Sequence, residues 1–181
     1  MIESQIDERN LFSRMKHRVF WARFFLAAAI LTAAMIFWFS AQKGESSQQM
    51  SDGITLKVAQ FLDPDFASLP EVTQLSRLET LSFVIRKGAH FCEYALLGFC
   101  LLGWLRFSRP EKRWRACQLP AWAIATLYAG TDELHQMFID ERSAQIMDVG
   151  VDSAGSLAGV LVATLALVLI LRSAGSRPSA T

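Results

Sequence analysis

The most constraining feature of this sequence is a set of segments that carry almost no charged residues. They cover residues 24–41, 89–105, 119–139 and 149–171. Each is long enough, or nearly so, to cross a hydrocarbon core of roughly 30 Å as a helix. A surface helix of a soluble protein places charges every three or four residues, yet none occur in 24–41 or 153–171. The sequence therefore predicts an all-α polytopic membrane protein with four transmembrane helices.

Composition excludes two other classes of protein. Apolar residues make up 52% of the chain and charged residues 19%, which is too apolar for a disordered segment. The formal net charge of +1 gives no basic excess, so nucleic acid is not expected as a partner. The partner that the charge-free segments predict is the lipid bilayer.

The distribution of Lys and Arg predicts the orientation of the four spans. Basic residues dominate at 9–23, 106–115 and 172–177, whereas acidic residues outnumber them at 42–88 and 140–148. Short cytoplasmic flanks of membrane helices carry an excess of Lys and Arg. Both termini are therefore predicted to lie in the cytoplasm, and the connections after the first and third spans are predicted to face outward.

This topology divides the chain into three parts. Residues 1–23 form a basic cytoplasmic segment, residues 24–171 form the four-helix membrane domain, and residues 172–181 form a cytoplasmic tail. The outer connection at 42–88 contains two stretches with apolar residues at helical spacing, which predict short amphipathic helices on the outer surface. A lid above a site is the functional alternative for this connection.

Three of the predicted spans contain ionisable residues, although each such group costs at least about 2.5–3.5 kcal/mol at the centre of a membrane helix. These residues are His90, Glu93, Asp132, Glu133, His135, Asp148 and Asp152. At a rise of 1.5 Å per residue, the predicted topology puts all of them in the outer third of the membrane.

Helical spacing places these residues on shared faces, and the faces predict a cluster walled by the second, third and fourth spans. Gly155 and Gly159 continue the face of Asp152, and small residues four apart mark a close helix contact. The same glycine face could also serve a homodimer. Arg86 and Arg142, with Lys87, lie at the predicted outer rim, where they could hold a phosphate or a carboxylate.

The chemistry of the cluster stays open at the level of sequence. Its members could simply pair with one another as contacts between helices. A divalent metal is a further alternative, but no strong metal motif such as His-Glu-x-x-His is present, and no cofactor is required. His135 beside Asp132 or Glu93 could instead act as a general base, although no serine or cysteine is poised as a nucleophile.

Three blocks of the sequence resemble the VanZ-like family of bacterial membrane proteins. They are Phe39-Ser40-Ala41-Gln42, then Lys87-Gly88-Ala89-His90-Phe91-Cys92-Glu93-Tyr94, and finally Asp132-Glu133-Leu134-His135-Gln136 followed by Arg142-Ser143, Asp148 and residues 155–159. The family usually has Pro-Gly where this chain has Asp140-Glu141, and Asn in the last helix where this chain has Asp152.

The resemblance implies a multi-pass protein of the bacterial cytoplasmic membrane, in a family named after a teicoplanin-resistance protein. It implies no particular reaction. The candidate binding residues are Arg86, Lys87, Tyr94, Gln136, Arg142, Asp148 and Asp152, and the candidate catalytic groups are His90, Glu93, Asp132, Glu133 and His135.

Residues and resemblance together suggest that the chain binds or processes a lipid-linked or amphiphilic envelope molecule at its outward face. A membrane enzyme acting on a lipid phosphate, with His135 as the base, is the second hypothesis. A small transporter is disfavoured, because the spans show neither broken helices nor an inverted repeat.

Overall fold

The computed structural model describes the backbone at residues 2–42, 44–139 and 145–175, and side chains at 13, 15–42, 52–139 and 145–170. The described residues form five α-helices and no strand. The helices are α1 (Ile2–Ser40), α2 (Gly44–Leu62), α3 (Glu71–Ser108), α4 (Arg115–Gln136) and α5 (Ile146–Gly175), with a short 3-10 helix at Phe66–Ser68. The predicted all-α fold is confirmed.

Three helices are long and apolar enough to cross a membrane. The corresponding segments are Met15–Ser40 in α1, Glu71–Ser108 in α3 and Ile146–Ile170 in α5. Helix α4 covers residues 119–136 of the third predicted span and has 22 residues, which corresponds to about 33 Å of helix. Its role as a fourth span, and the side of the membrane on which the termini lie, stay predictions.

The outer connection differs from the expectation of two short helices. Helix α2 forms as a separate element, but the second amphipathic pattern is the first part of α3, which runs without interruption from Glu71 to Ser108. The physical reason is that the last proline before Ser108 is Pro70, at the N-cap of α3. Isolated glycines such as Gly88 are tolerated inside a helix, so nothing separates the pattern from the span.

The four long helices α1, α3, α4 and α5 alternate in direction in the order in which they follow along the chain. The side chains of Phe25 and Phe107 stack with ring centroids 5.8 Å apart, which joins the start of the apolar part of α1 to the end of α3. The side chain of Gln118, near the start of α4, donates to that of Thr164 in α5 at 2.8 Å. Helices α1 and α4 therefore run in one direction, and α3 and α5 run in the other.

The tightest contact in the bundle lies between α3 and α5. A Cβ atom added at Gly155 would overlap the backbone carbonyl of Phe91, and one added at Gly159 would overlap that of Ala95. The predicted close helix contact is therefore present within the chain. Because α3 already fills this glycine face, the suggested homodimer would have to use a different surface.

Small buried residues on α4 complete the core. Cys117, Ala121, Ala125 and Ala129 recur at every fourth position and are almost fully buried. Their small side chains let the neighbouring helices pack closely against α4. The next position in this series is Glu133, so the apolar core gives way to ionisable groups at one end of the bundle.

Candidate functional site

The polar cluster lies at the end of the bundle where α1 and α4 terminate and α5 begins. We call it the acidic end, because its carboxyl groups are those of Glu93, Asp132, Glu133, Asp148 and Asp152. Although these residues are far apart in the sequence, their carboxyl groups lie within electrostatic range of one another. The structure therefore brings together residues from α3, α4 and α5, as the helical spacing predicts.

Helices α3 and α5 meet at two polar contacts that lie one helical turn apart along the bundle. The Lys87 ammonium donates to the carboxylate of Asp148, and both side chains are about four-fifths buried. One turn further along, Nδ1 of His90 lies 3.9 Å from Oδ1 of Asp152. The first contact is a close ion pair, whereas the second is too long for a hydrogen bond.

Helix α1 contributes a fourth wall that the sequence does not predict. The Ser40 hydroxyl donates to Oδ2 of Asp132 at 2.7 Å, and Nε2 of Gln136 approaches the same carboxylate oxygen at 3.2 Å. All three side chains are buried. The prediction of three walls is therefore incomplete. The available signal was the position of Ser40 at the end of the first span.

His135, the general base that the sequence suggests, packs against α1, and its role as a base stays a prediction. Its ring stacks on Phe37 of α1 with centroids 4.7 Å apart, and its Nε2 atom is buried without a hydrogen-bond partner among the described residues. The Oδ2 atom of Asp132 accepts hydrogen bonds from Ser40 and Gln136. Asp132 and His135 therefore both face α1, where Asp132 meets Ser40 and His135 meets Phe37.

Tyr94 lies at the centre of the cluster. Its side chain is fully buried, and the carboxyl groups of Asp132, Asp152 and Glu133 are within electrostatic range of it. Within the described part of the chain, no group forms a hydrogen bond with its hydroxyl. A buried hydroxyl without a partner is unusual, because such groups normally find a donor or acceptor.

Several carboxyl oxygens of the cluster also have no donor among the described residues. These are both oxygens of Asp152 and the Oδ1 atom of Asp132, although Asp152 is only 1% exposed and Asp132 3%. By contrast, Oε2 of Glu133 accepts from the backbone N–H of Gln145 at 3.1 Å. Some carboxyl groups of the cluster therefore accept hydrogen bonds from the chain, whereas others are buried and could still accept hydrogen bonds from a ligand.

The remaining predicted residues lie around this centre or outside the described residues. Arg86 and Glu93 are half-buried on α3, and Glu93 is within electrostatic range of Asp132. Arg142 lies outside the described residues. No three His, Cys, Asp or Glu side chains in the described ranges are arranged to hold a metal ion.

A second polar contact, on the other side of α5, was not predicted. Nε1 of Trp122 donates to the backbone carbonyl of Ser153 at 3.2 Å, and the hydroxyls of Thr126 and Ser153 lie 3.0 Å apart. These bonds hold α4 against α5 next to Asp152. Nothing in the spacing of these residues distinguishes them from ordinary core positions, so the sequence carried no signal for them.

Long apolar helices that enclose ionisable groups define a helical membrane protein. Comparison with protein families agrees, because the VanZ/LLP1 family matches residues 25–169. The chain therefore belongs to the VanZ/LLP1 family, as the three sequence blocks suggest. No curated protein and no solved structure matches the chain.

Proposed function

We propose that the chain is a four-span protein of the bacterial cytoplasmic membrane whose acidic end faces outward and binds the polar head of a lipid-linked or amphiphilic envelope molecule. The observation that carries this proposal is that Oδ1 of Asp132 and both oxygens of Asp152 are buried without a donor among the described residues. Pure contacts between helices would be expected to satisfy these groups, because an unpaired buried polar group destabilises the fold. A site that receives its donors from a ligand accounts for them.

The distribution of charge over the bundle supports the proposed orientation. The basic residues of α1 and of the connection between α3 and α4 lie at the end opposite the acidic end. Trp21 and Phe107 stack there with ring centroids 6.3 Å apart. An excess of Lys and Arg marks the cytoplasmic end of a membrane protein, so the acidic end would face outward.

The surroundings of the acidic end suit an amphiphile. Large apolar side chains are exposed where α4 ends and α5 begins, at Met137, Phe138, Ile146 and Met147. Exposed apolar side chains in this position can contact acyl chains while the buried carboxyl groups bind the head. The proposal therefore places the head group inside the bundle and the chain along its lipid-facing surface.

The binding proposal is tested by retention of envelope lipids on purified protein. We expect the wild-type protein to retain a specific lipid from an extract, and Asp132→Ala to retain much less of it, because the substitution removes a buried acceptor. The matched control is Glu79→Gln, an exposed acid of α3 that lies outside the cluster. Equal retention of every lipid by all three proteins would contradict the proposal.

The orientation is tested by labelling single cysteines in intact spheroplasts with a membrane-impermeant maleimide. The background is a protein in which Cys92, Cys100 and Cys117, all free thiols, are replaced by serine. We expect Ala67→Cys, between α2 and α3, to be labelled from outside, and Lys112→Cys to be labelled only after lysis. The opposite pattern, or labelling of both positions from outside, would contradict the topology.

A further inference from the structure

We infer that the head group bound at the acidic end carries an ammonium, because buried carboxyl oxygens of Asp132 and Asp152 lie there with the Tyr94 hydroxyl and have no donor among the described residues. This inference rests on the proposed binding function and adds the chemical class of the ligand. An amphiphile with an ammonium head would be the preferred ligand, rather than the phosphate-bearing amphiphile that Arg86, Lys87 and Arg142 suggest from the sequence.

Hydrogen-bonding capacity is the first argument for an ammonium. The cluster offers acceptors, because both oxygens of Asp152 and the Oδ1 atom of Asp132 are buried without donors among the described residues. A primary ammonium carries three N–H donors and no acceptor, which complements these atoms. A phosphate carries mainly acceptors, so it would leave the carboxyl oxygens unsatisfied.

The balance of charge is the second argument. Five carboxyl groups lie at the acidic end, and they outnumber Lys87 and Arg86 even when both are counted as neutralising charges. The Lys87 ammonium is already paired with Asp148. An ammonium entering this region would stabilise the charged form of the remaining carboxyl groups, whereas a phosphate would destabilise it.

The Lys87–Asp148 ion pair is a model for the way in which the acidic end would bind a ligand ammonium. In that pair an ammonium of the chain itself already binds a carboxylate at the level above Asp152. Asp152 lies one helical turn deeper on the same helix and has no ammonium partner among the described residues. A ligand ammonium would repeat the Lys87 contact one turn further into the bundle.

Tyr94 can complete the coordination. Its buried hydroxyl can accept one N–H bond and donate its own proton to a carboxylate. Among the described residues the cluster offers no arrangement of three or more ligating side chains for a metal ion. A hydrogen-bonded organic cation therefore fits the geometry better than a coordinated metal.

The inference is tested by native mass spectrometry of the purified full-length protein with three probes: dodecylamine, butylamine and dodecyl phosphate. We expect dodecylamine to bind at least about tenfold more tightly than dodecyl phosphate, which corresponds to one decade in Kd. Butylamine should bind weakly, because it presents the same ammonium without a chain to contact the apolar surface.

Two variants locate the bound amine. We expect Asp152→Asn to weaken dodecylamine binding about tenfold or more, because the substitution removes a carboxyl group that can form an ion pair with the amine. The control Glu79→Gln removes an exposed acid from α3 and should leave dodecylamine binding unchanged. Dodecylamine binding that is equal in wild type and Asp152→Asn would overturn the inference.

The other outcomes are equally decisive. Binding of dodecyl phosphate but not dodecylamine, lost in Asp132→Ala, would overturn the inference and leave the proposed binding function standing. Equal binding of butylamine and dodecylamine would contradict an amphiphilic ligand. The acidic end would then bind small amines without any contact to an alkyl chain. If no probe binds and the lipid-extract experiment also shows no dependence on Asp132, both the inference and the proposed function fail.

Discussion

Gly159→Ala is expected to lower the free energy of unfolding by about 3 kcal/mol or more, at the upper end of the range for overpacking a core. The added methyl group would overlap the backbone carbonyl oxygen of Ala95. A backbone atom cannot rotate away as a side chain can, so α3 and α5 would have to separate. The separation would also disturb the His90–Asp152 and Lys87–Asp148 contacts of the acidic end.

The measurement for Gly159→Ala is thermal unfolding of the purified protein in a neutral detergent. The matched control is Gly150→Ala in the same helix, where an added Cβ meets no atom within 4 Å. Because alanine is the better helix former by about 1 kcal/mol, the control is expected to unfold at or above the wild-type temperature. Equal unfolding temperatures for Gly159→Ala and wild type would contradict the close contact of α3 with α5.

Asp152→Asn and Asp148→Asn are expected to change stability in opposite directions. Asp148 is the partner of Lys87, so its neutralisation leaves a largely buried ammonium without a counter-charge and lowers stability by about 1–3 kcal/mol. Asp152 has no donor among the described residues and is 1% exposed. An amide in its place avoids burying a carboxyl group that has no donor, so stability should rise by about 1–3 kcal/mol.

The two aspartates form a controlled comparison, because they lie one turn apart on the same face of α5 and undergo the same chemical change. For a chain of this length, each kcal/mol corresponds to about 2–4 °C in the unfolding temperature. A loss of stability in both variants would identify Asp152 as an ordinary structural contact. Stabilisation by removal of a charged group is a pattern typical of functional sites, where activity is retained at the expense of stability.

Much of the fold and part of the site follow from the sequence. Runs without charge in α1 and α5 have one physical interpretation, because a soluble helix of that length needs charged residues on its exposed face. Helical spacing also predicts that Arg86, His90 and Glu93 share a side of α3, and Asp148 and Asp152 a side of α5. In the structure Asp148 meets Lys87 of α3 and Asp152 meets His90.

The rest could not be predicted because periodicity identifies which residues share a face but not which neighbour that face meets. For this reason the spacing predicts the face of α4 on which His135 lies but not that its ring stacks on Phe37 of α1. Ser40 belongs to the cluster through a partner 92 positions away in the sequence, and no local pattern encodes that pairing.

The continuous helix α3 shows a different limit. The amphipathic pattern before Gly88 and the charge-free span at 89–105 predict two separate helices. Composition marks the environment of a helix, however, whereas only a proline or another strong breaker marks its end. Pro70 is such a marker, and α3 begins directly after it.

The central claim is that the acidic end keeps a buried carboxyl group without a hydrogen-bond donor among the described residues, so that a ligand can supply the donors. The most direct test measures the unfolding temperature and the Kd for dodecylamine on the same preparation of Asp152→Asn. The account predicts a higher unfolding temperature together with binding about tenfold weaker than in wild type. A lower unfolding temperature with unchanged amine binding would contradict it.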